Sequence, residues 1–409
     1  MTQTTRPPLR SLDDVRAELL GHATALGETD PVSTFDADGW VLAQDLVSPL
    51  QVPPNDNSAM DGYAVRVADL VAGTPLPVSQ RIAAGAEGVP LAPGSVARIF
   101  TGAPVPSGAD AIVMQEDAQV ESDGRVLFKA VPPAGQHIRR SGEDVARGAV
   151  VLSRGRRLDA AALGMAASIG LAQLPVARRP RVALFSTGDE LVLPGDVPPG
   201  QMKPGAIYNS NRFFLRTLLL RLGCEVTDLG AVPDRLDATV QALQTAAQGN
   251  DLIVTSGGVS VGEEDHVKPA VQSLGTLELW QLAIKPGKPF AYGRVAGSHF
   301  IGLPGNPVSS FVTFLLLVRP FILRLQGATD FEPRPMQLRA DFTWAKADKR
   351  REFLRARRNA VGGLDLFANQ SSGVLTSMVW GDGLVDVAPG RTIAPGDLVP
   401  FLPLAELMA

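Results

Sequence analysis

The feature that most constrains this chain is an alternation of apolar runs and helical segments between residues 181 and 325. Five apolar runs predict strands: 181–186, 225–232, 251–255, 279–284 and 299–303. Helical segments cover 211–222 and 235–248, and a long apolar helix follows from 307 to about 325. Continuous apolar strands that alternate with helices are typical of a parallel sheet buried on both faces. We therefore expect a doubly wound α/β domain of about 150 residues.

The segments on either side of this domain have a different pattern. Residues 51–135 contain short β-type runs separated by glycine and proline turns, which predicts a β-rich module. Helical segments at 11–26, with Ser11 as N-cap, and at 158–172 flank that module. Residues 178–180 are interpreted as a linker. The sequence from residue 333 onward predicts a small C-terminal β module.

Composition excludes several classes of function. The 38 basic and 42 acidic residues give a net charge of −4, which argues against nucleic-acid binding through overall charge. The single cysteine, Cys224, excludes an internal disulfide and a cysteine-based zinc site. The four histidines lack ligand spacing. The N-terminal residues have no apolar export segment, and the runs at 160–172 and 311–318 are shorter than a membrane span of roughly 18 residues, so we expect a soluble cytoplasmic protein.

Three loops follow predicted strands at the edge of the sheet where open α/β domains bind ligands: 186–190, 255–265 and 302–307. In the third loop, Asn306 as N-cap and Pro307 at the first helical position would leave N–H groups free for an anion, although an ordinary strand–helix connection has the same pattern. The glycines of the second loop permit close approach to a phosphate. Glu190 and Asp265 would suit Mg²⁺, although either carboxylate could instead cap a helix.

Lysine is rare in this chain, with 7 Lys against 31 Arg, yet Lys285 and Lys288 flank a Pro-Gly turn. Such a turn can direct two ammonium groups at one small anion, and two solvated lysines are the alternative. The polar stretches 55–63 and 141–144 are acidic without an evident structural need, although Asx turns would also explain them.

Eight motifs, in order along the chain, resemble the molybdopterin molybdenumtransferase family, which includes MoeA-type proteins and the gephyrin E domain. They are PPNDNSAMDGYAVR (53–66), IFTGAPVPSGADAIVMQE (99–116), SGEDV (141–145), FSTGDEL (185–191), IYNSNR (207–212), TSGGVSVGEEDHVK (255–268), AIKPGKPFAYG (283–293) and GLPGNPVSS (302–310). With the C-terminal module, the resemblance covers essentially the whole chain.

The resemblance implies an elongated four-domain subunit that forms a homodimer. The implied divisions are domain I at 1–50 plus 140–178, a β-rich inserted domain II at 51–139, the α/β molybdopterin-binding domain III at 179–328, and a C-terminal β domain IV at 329–409. The implied activity is insertion of molybdate into adenylylated molybdopterin, with Mg²⁺-dependent release of AMP. Further implied partners are molybdopterin adenylyltransferase and molybdoenzymes, with neither nucleic acid nor membrane.

The family's functional acids correspond to Asp61, Asp144, Glu190, Asp234 and Asp265, and its lysine pair to Lys285 and Lys288. Asp61 and Asp144 are implied to reach the partner subunit's cleft. Ser372 takes the place of the family serine within Gln-Ser-Ser-Gly, where the family usually has Gln-Gly-Ser-Gly. The implied substrate-binding residues are Thr101, Ser186, Thr187, Gly188, Ser256, Gly257, Gly258, Val259, Ser260, Pro304, Gly305, Asn306, Pro307, Arg350 and Ser372.

Other readings remain open at this point. A non-catalytic scaffold of the gephyrin type and a tungstate-specific paralogue share the resemblance. A molybdopterin adenylyltransferase would not need residues 1–178 or 330–409. A nicotinamide-dependent dehydrogenase is disfavoured because the chain lacks a GxGxxG fingerprint after a strand.

Overall fold

The computed structural model describes residues 9–258 and 266–408. The helices are α1 (Leu12–His22), α2 (Ala160–Ser168), α3 (Ser210–Arg221), α4 (Leu236–Ala247), α5 (Val267–Leu274), α6 (Pro307–Thr313), α7 (Arg319–Leu325), α8 (Thr376–Trp380) and α9 (Leu404–Leu407). The strands are β1 (Thr29–Ser33), β2 (Leu46–Val47), β3 (Asn57–Ser58), β4 (Gly62–Val65), β5 (Val78–Ile82), β6 (Val96–Ile99), β7 (Ala111–Met114), β8 (Ala118–Val120), β9 (Val126–Phe128), β10 (Ile138–Arg139), β11 (Val150–Leu152), β12 (Gln173–Ala177), β13 (Arg181–Thr187), β14 (Leu191–Val192), β15 (Ile207–Tyr208), β16 (Glu225–Val232), β17 (Leu252–Ser256), β18 (Gly275–Gln281), β19 (Ile284–Lys285), β20 (Pro289–Val295), β21 (Ser298–Leu303), β22 (Met336–Ala340), β23 (Arg351–Arg358), β24 (Gly363–Leu366), β25 (Gly383–Val387) and β26 (Leu398–Pro403).

The central sheet has six strands in the order β16-β13-β17-β21-β20-β18. The first four are mutually parallel, and β20 and β18 add an antiparallel edge. The doubly wound α/β domain expected from the sequence is therefore present. The strand predicted near 279–284 is present as β18, but β18 starts earlier, at Gly275, and ends at Gln281, after which the chain enters β19 of another sheet.

The long apolar helix runs without interruption through α6, a π-helical segment (Phe314–Val318) and α7. The whole helix has 19 residues, more than the apolar run at 311–318 that the sequence showed. Its mean hydropathy in an 18-residue window is 1.8, so by length and composition it could span a membrane. In the fold, 94% of that window is buried. Phe314, Leu317 and Phe321 are fully enclosed, which makes this the core helix of the α/β domain.

The N-terminal region is built from two segments that are separated in the sequence. β1 pairs with β12 and β2 with β11, so the segments before residue 50 and after residue 145 lie together, and the chain between them forms a β-rich unit around the sheet β5-β6-β4-β7. Ser11 caps α1 as predicted, accepting from the Asp14 N–H at 3.1 Å, although the helix ends at His22 rather than at 26.

The predicted linker at 178–180 is a fixed junction. The Arg178 guanidinium donates two hydrogen bonds of 2.9 Å to the Asp251 carboxylate and also pairs with Glu28. The predicted linker therefore connects the N-terminal region to the α/β domain through an ion-paired arginine.

The C-terminal strands close into a barrel. Their order is β19-β23-β24-β22-β26-β25, and β25 also pairs with β23, which completes the circle. The two-residue strand β19 comes from the α/β domain and pairs in parallel with β23, opposing Lys285 to Glu352. The lysine-containing turn therefore joins the two domains and lies where they meet.

Candidate substrate-binding cleft

Two adjoining cavities lie at the carboxyl ends of the parallel strands, the position at which open α/β sheets bind ligands. The first has a volume of about 690 Å³ and is lined by the loops after β13, β17 and β21. The second, of about 390 Å³, lies between the lysine turn and the barrel. Pro289, Asn306 and Ser309 line both cavities, so the two form one cleft.

A pair of glycines allows two loops to approach one another beside the first cavity. Gly257 and Gly258 have φ angles of +93° and +65°. A Cβ on Gly257 would lie 2.7 Å from the Thr187 carbonyl oxygen, and a Cβ on Gly258 would lie 2.8 Å from Thr187 Oγ1. Only glycine combines this backbone with this approach. The remaining predicted residues of the loop, Val259, Ser260 and Asp265, lie outside the described residues.

The first cavity is bordered by buried polar groups that are available to a ligand. Thr187 Oγ1 and Asn209 Nδ2 are buried and have no hydrogen-bond partner among the described residues, and both residues line the cavity. Since buried polar groups are normally paired, a bound ligand would satisfy them. Ser256 also lines this cavity, whereas Ser186 is buried in β13 and does not.

Asn209 was missed as a site residue by the sequence reasoning. It lies in the IYNSNR motif and serves as the N-cap of α3, since its Oδ1 accepts from the Arg212 N–H at 3.2 Å. The capping role was recognisable from an asparagine before a helix, but the free amide nitrogen follows only from the cavity.

The predicted helix N-terminus lies at the junction of the two cavities. Asn306 occupies the N-cap position of α6 and Pro307 follows it, but the Asn306 side chain makes no capping hydrogen bond. The carbonyl of Gly305 accepts from Asn211 Nδ2 at 2.7 Å, which fixes the turn, and Pro304 lines the first cavity. Asn306 lines both cavities.

Glu190 is the described carboxylate that lines the first cavity. Its side chain lies against Gly188, where a Cβ would come within 2.5 Å of Oε2. The adjacent Asp189 accepts from the Asp234 N–H at 2.9 Å, so the loops after β13 and β16 are joined. Asp234 itself is not among the described residues that line either cavity.

Cations border the second cavity, and two of them are paired. Lys285 Nζ lies 2.8 Å from Glu352 Oε1 and 3.5 Å from Asp348 Oδ2. Arg350 holds Asp348 through Nε at 3.1 Å and Nη2 at 2.9 Å. The hydrogen bond from Arg350 holds the pKa of Asp348 far below its usual range. Lys288 forms no ion pair with any residue in the described ranges, so it is the cation with its full donor capacity available.

The Gln-Ser-Ser-Gly segment closes the second cavity from the barrel side. Gln370, Ser371 and Ser372 line it, and the Ser372 carbonyl accepts from the Val308 N–H at 2.9 Å. This bond attaches the segment to the first turn of α6. Ser372 thus lies where the resemblance places it, opposite the lysine turn.

Three predicted residues of the N-terminal region lie outside the cleft. Among the residues that the structure describes, Asp61, Asp144 and Thr101 line neither cavity. Thr101 donates to Asp61 Oδ1 from both its N–H and its Oγ1 at 2.8 Å, and these bonds lower the pKa of Asp61. Asp144 is exposed. Within one chain, the structure brings together the lysines, Glu190 and the glycine loops, but not these residues.

Comparisons with known proteins cover nearly the whole chain. Family models match the MoeA N-terminal region (domain I and II) at residues 10–170, a probable molybdopterin binding domain at 183–324 and the MoeA C-terminal region (domain IV) at 337–404. The molybdopterin molybdenumtransferase of Haemophilus influenzae is 43% identical over 326 residues, which are 80% of each chain. That of a Nostoc species is 34% identical over 95% of this chain and 92% of its own.

A solved structure has the same architecture. The crystal structure of the molybdopterin biosynthesis moeA protein from Pyrococcus horikoshii superposes with a TM-score of 0.83 at 27% identity, covering 97% of this chain and all of that one. The fold class expected from the sequence is thereby confirmed.

Proposed function

This chain belongs to the MoeA family of molybdopterin molybdenumtransferases, enzymes of molybdenum cofactor biosynthesis, and from that premise we propose that it inserts molybdate into adenylylated molybdopterin and releases AMP with the help of Mg²⁺. The observation that carries the proposal is the joined pair of cavities, one bordered by glycine turns and a carboxylate, the other by cations. A pterin nucleotide and an oxyanion bound in the two cavities would meet at Asn306 and Ser309.

Cleavage of a phosphoanhydride depends mainly on positioning and on neutralising charge. In the first cavity, the backbone around Gly257 and the Asn209 amide would donate hydrogen bonds to phosphate oxygens. These donors would orient the substrate without forming a covalent bond to it.

The residues of the first cavity fit a magnesium ion. Mg²⁺ prefers oxygen ligands, and the cavity offers the Glu190 carboxylate and the unpaired Thr187 hydroxyl. The resemblance adds Asp265. When bound, the ion would neutralise the phosphate charge that develops as AMP leaves.

The second cavity fits a tetrahedral oxyanion. Lys288 would contact it with its unpaired ammonium group, while Lys285 and Arg350 contribute positive charge from positions fixed by Asp348 and Glu352. The Ser372 hydroxyl adds a neutral donor from the facing segment.

A homodimer would complete the site. Asp61 and Asp144 belong to the functional set implied by the family but lie outside the cleft of their own chain. We assign them to the cleft of the partner subunit, which makes the active site composite.

The deciding experiment is AMP release from adenylylated molybdopterin, measured with molybdate or tungstate and with or without Mg²⁺. We expect release that requires both an oxyanion and Mg²⁺. Release with tungstate but not with molybdate would indicate a tungstate-specific enzyme. No release under any condition would refute the proposed reaction and favour a scaffold.

A further inference from the structure

A buried hydroxyl group at the end of α6 lacks the partner that such a group normally has. Thr313 is fully buried, and its Oγ1 forms no hydrogen bond with any residue that the structure describes. A threonine inside a helix usually donates to a carbonyl one turn earlier. Thr239 in α4, which is equally buried, does so to the Arg235 carbonyl at 2.8 Å, and Thr217 in α3 makes the same kind of bond. Because an unpaired buried hydroxyl lowers stability, Thr313 carries a cost that Thr239 does not.

The Thr313 hydroxyl lies against the lysine turn. Gly287 has a φ of +113°, and a Cβ added to it would lie 2.5 Å from Thr313 Oγ1. The main chain of the turn therefore rests on the hydroxyl with no side chain between them. The N–H groups of Gly287 and Lys288 have no acceptor within the described ranges. An unused acceptor thus lies against a turn that has unused donors.

The hydroxyl is separated from the second cavity only by this turn. Gly287 and Lys288 line the cavity, as does Ser309, which precedes Thr313 by one helical turn on the same face of α6. Thr313 is not among the described lining residues. The helix adopts π-helical geometry directly after Thr313, over Phe314–Val318. Such segments occur frequently at functional sites. The position of the hydroxyl therefore favours a role in the cleft.

We propose that Thr313 is a positioning residue for oxyanion binding, which accepts a hydrogen bond from the Gly287 N–H when an oxyanion draws Lys288 and its turn into the binding position. This inference rests on the proposed function. Thr313 acts through the turn and does not touch the ligand. Without the oxyanion the hydroxyl stays unpaired, so the hydrogen bond favours only the bound state. Removing the hydroxyl should therefore stabilise the free protein and weaken oxyanion binding.

The test combines thermal unfolding of the full chain with isothermal titration against molybdate and, separately, AMP. In Thr313→Val a methyl group replaces the hydroxyl, so the melting temperature of the free protein should rise by about 2 °C. Molybdate affinity should fall about fivefold, the effect of one neutral hydrogen bond. AMP affinity should not change, because neither Thr313 nor Gly287 lines the first cavity as the structure describes it. Thr313→Ser keeps the hydroxyl and should bind molybdate with wild-type affinity.

The matched control is Thr239→Val, which removes a buried hydroxyl that is paired. It should lower the melting temperature and leave molybdate affinity unchanged. If Thr313→Val does not fold, Thr313→Ala replaces it and should show the same selective loss of molybdate affinity.

Two results would overturn the assignment. One is wild-type molybdate affinity in Thr313→Val, and the other is a lower melting temperature with equal losses of molybdate and AMP affinity, which would indicate a purely structural role. A wild-type chain that binds AMP but no molybdate would instead refute the proposed function, and the assignment with it.

Discussion

At the scale of single residues, the two lysines of one turn have different surroundings. Lys288 has no described ion pair, so Lys288→Ala should raise the molybdate KM about 10-fold or more with little change in stability. Lys285→Ala should also lower the free energy of unfolding, by about 2 kcal/mol, because Glu352 is buried and would lose its cation. Molybdate-dependent turnover and thermal unfolding measure the two effects. Lys129→Ala is the control at an exposed site, and unchanged molybdate dependence in both variants would contradict the assignment.

A second residue-scale prediction concerns the carboxylate of the first cavity. Glu190→Gln keeps the shape of the side chain but removes its charge, so Mg²⁺-stimulated AMP release should be abolished. Glu225→Gln, at the opposite end of the same sheet, should release AMP at the wild-type rate. Titration of release against Mg²⁺ concentration is the measurement. Full activity of Glu190→Gln at low Mg²⁺ would exclude Glu190 as a ligand.

At the scale of elements, the sequence predicted those strands and helix ends that depend on local residue patterns. The strand at Glu225–Val232 and the helix cap at Ser11 follow from apolar runs and capping chemistry, and both occur as expected. The separate strand β19 could not be predicted, because two residues directly before a Pro-Gly turn acquire β structure only by pairing with β23, more than sixty residues later. For the same reason, the pairing of Lys285 with Glu352 and the burial of Arg355 depend on the closed barrel and not on nearby sequence.

The glycine turn after β17 allows the loops after β13 and β17 to approach one another. Gly257→Ala introduces a Cβ 2.7 Å from the Thr187 carbonyl at a φ of +93°, so the loops after β13 and β17 should separate. AMP affinity should fall about 10-fold or more, because the donors of the first cavity move apart. Gly297→Ala is the matched control, since it also has a positive φ but has open space around the added Cβ. An equal loss of affinity in the two variants would show that backbone strain, and not the loop contact, is responsible.

At the scale of the whole molecule, Arg178 joins the N-terminal region to the α/β domain. Burial is the largest single influence on Asp251 and raises its pKa, but the hydrogen bonds from the Arg178 guanidinium and the Arg181 N–H, together with the charges of the two arginines, outweigh it, and the pKa of Asp251 lies below its ordinary value. Arg178→Met should lower the free energy of unfolding by about 3 kcal/mol at pH 7. Because the folded-state pKa is depressed, this difference is fully present above about pH 4 and is lost as the pH falls through the folded pKa. Denaturant unfolding from pH 3 to 8 tests this; Arg125→Met, at an exposed pair, should show little change.

The composite site is tested by mixing two inactive variants. Asp61→Asn removes a group assigned to the partner's cleft, whereas Glu190→Gln removes one from the chain's own cavity. In a mixed dimer, one site would carry both changes and the other neither, so random exchange should restore about one quarter of the wild-type AMP release. Each variant mixed with itself is the control and should remain inactive. Absence of recovery, with subunit exchange confirmed by differently tagged chains, would show that Asp61 acts within its own chain or outside the reaction.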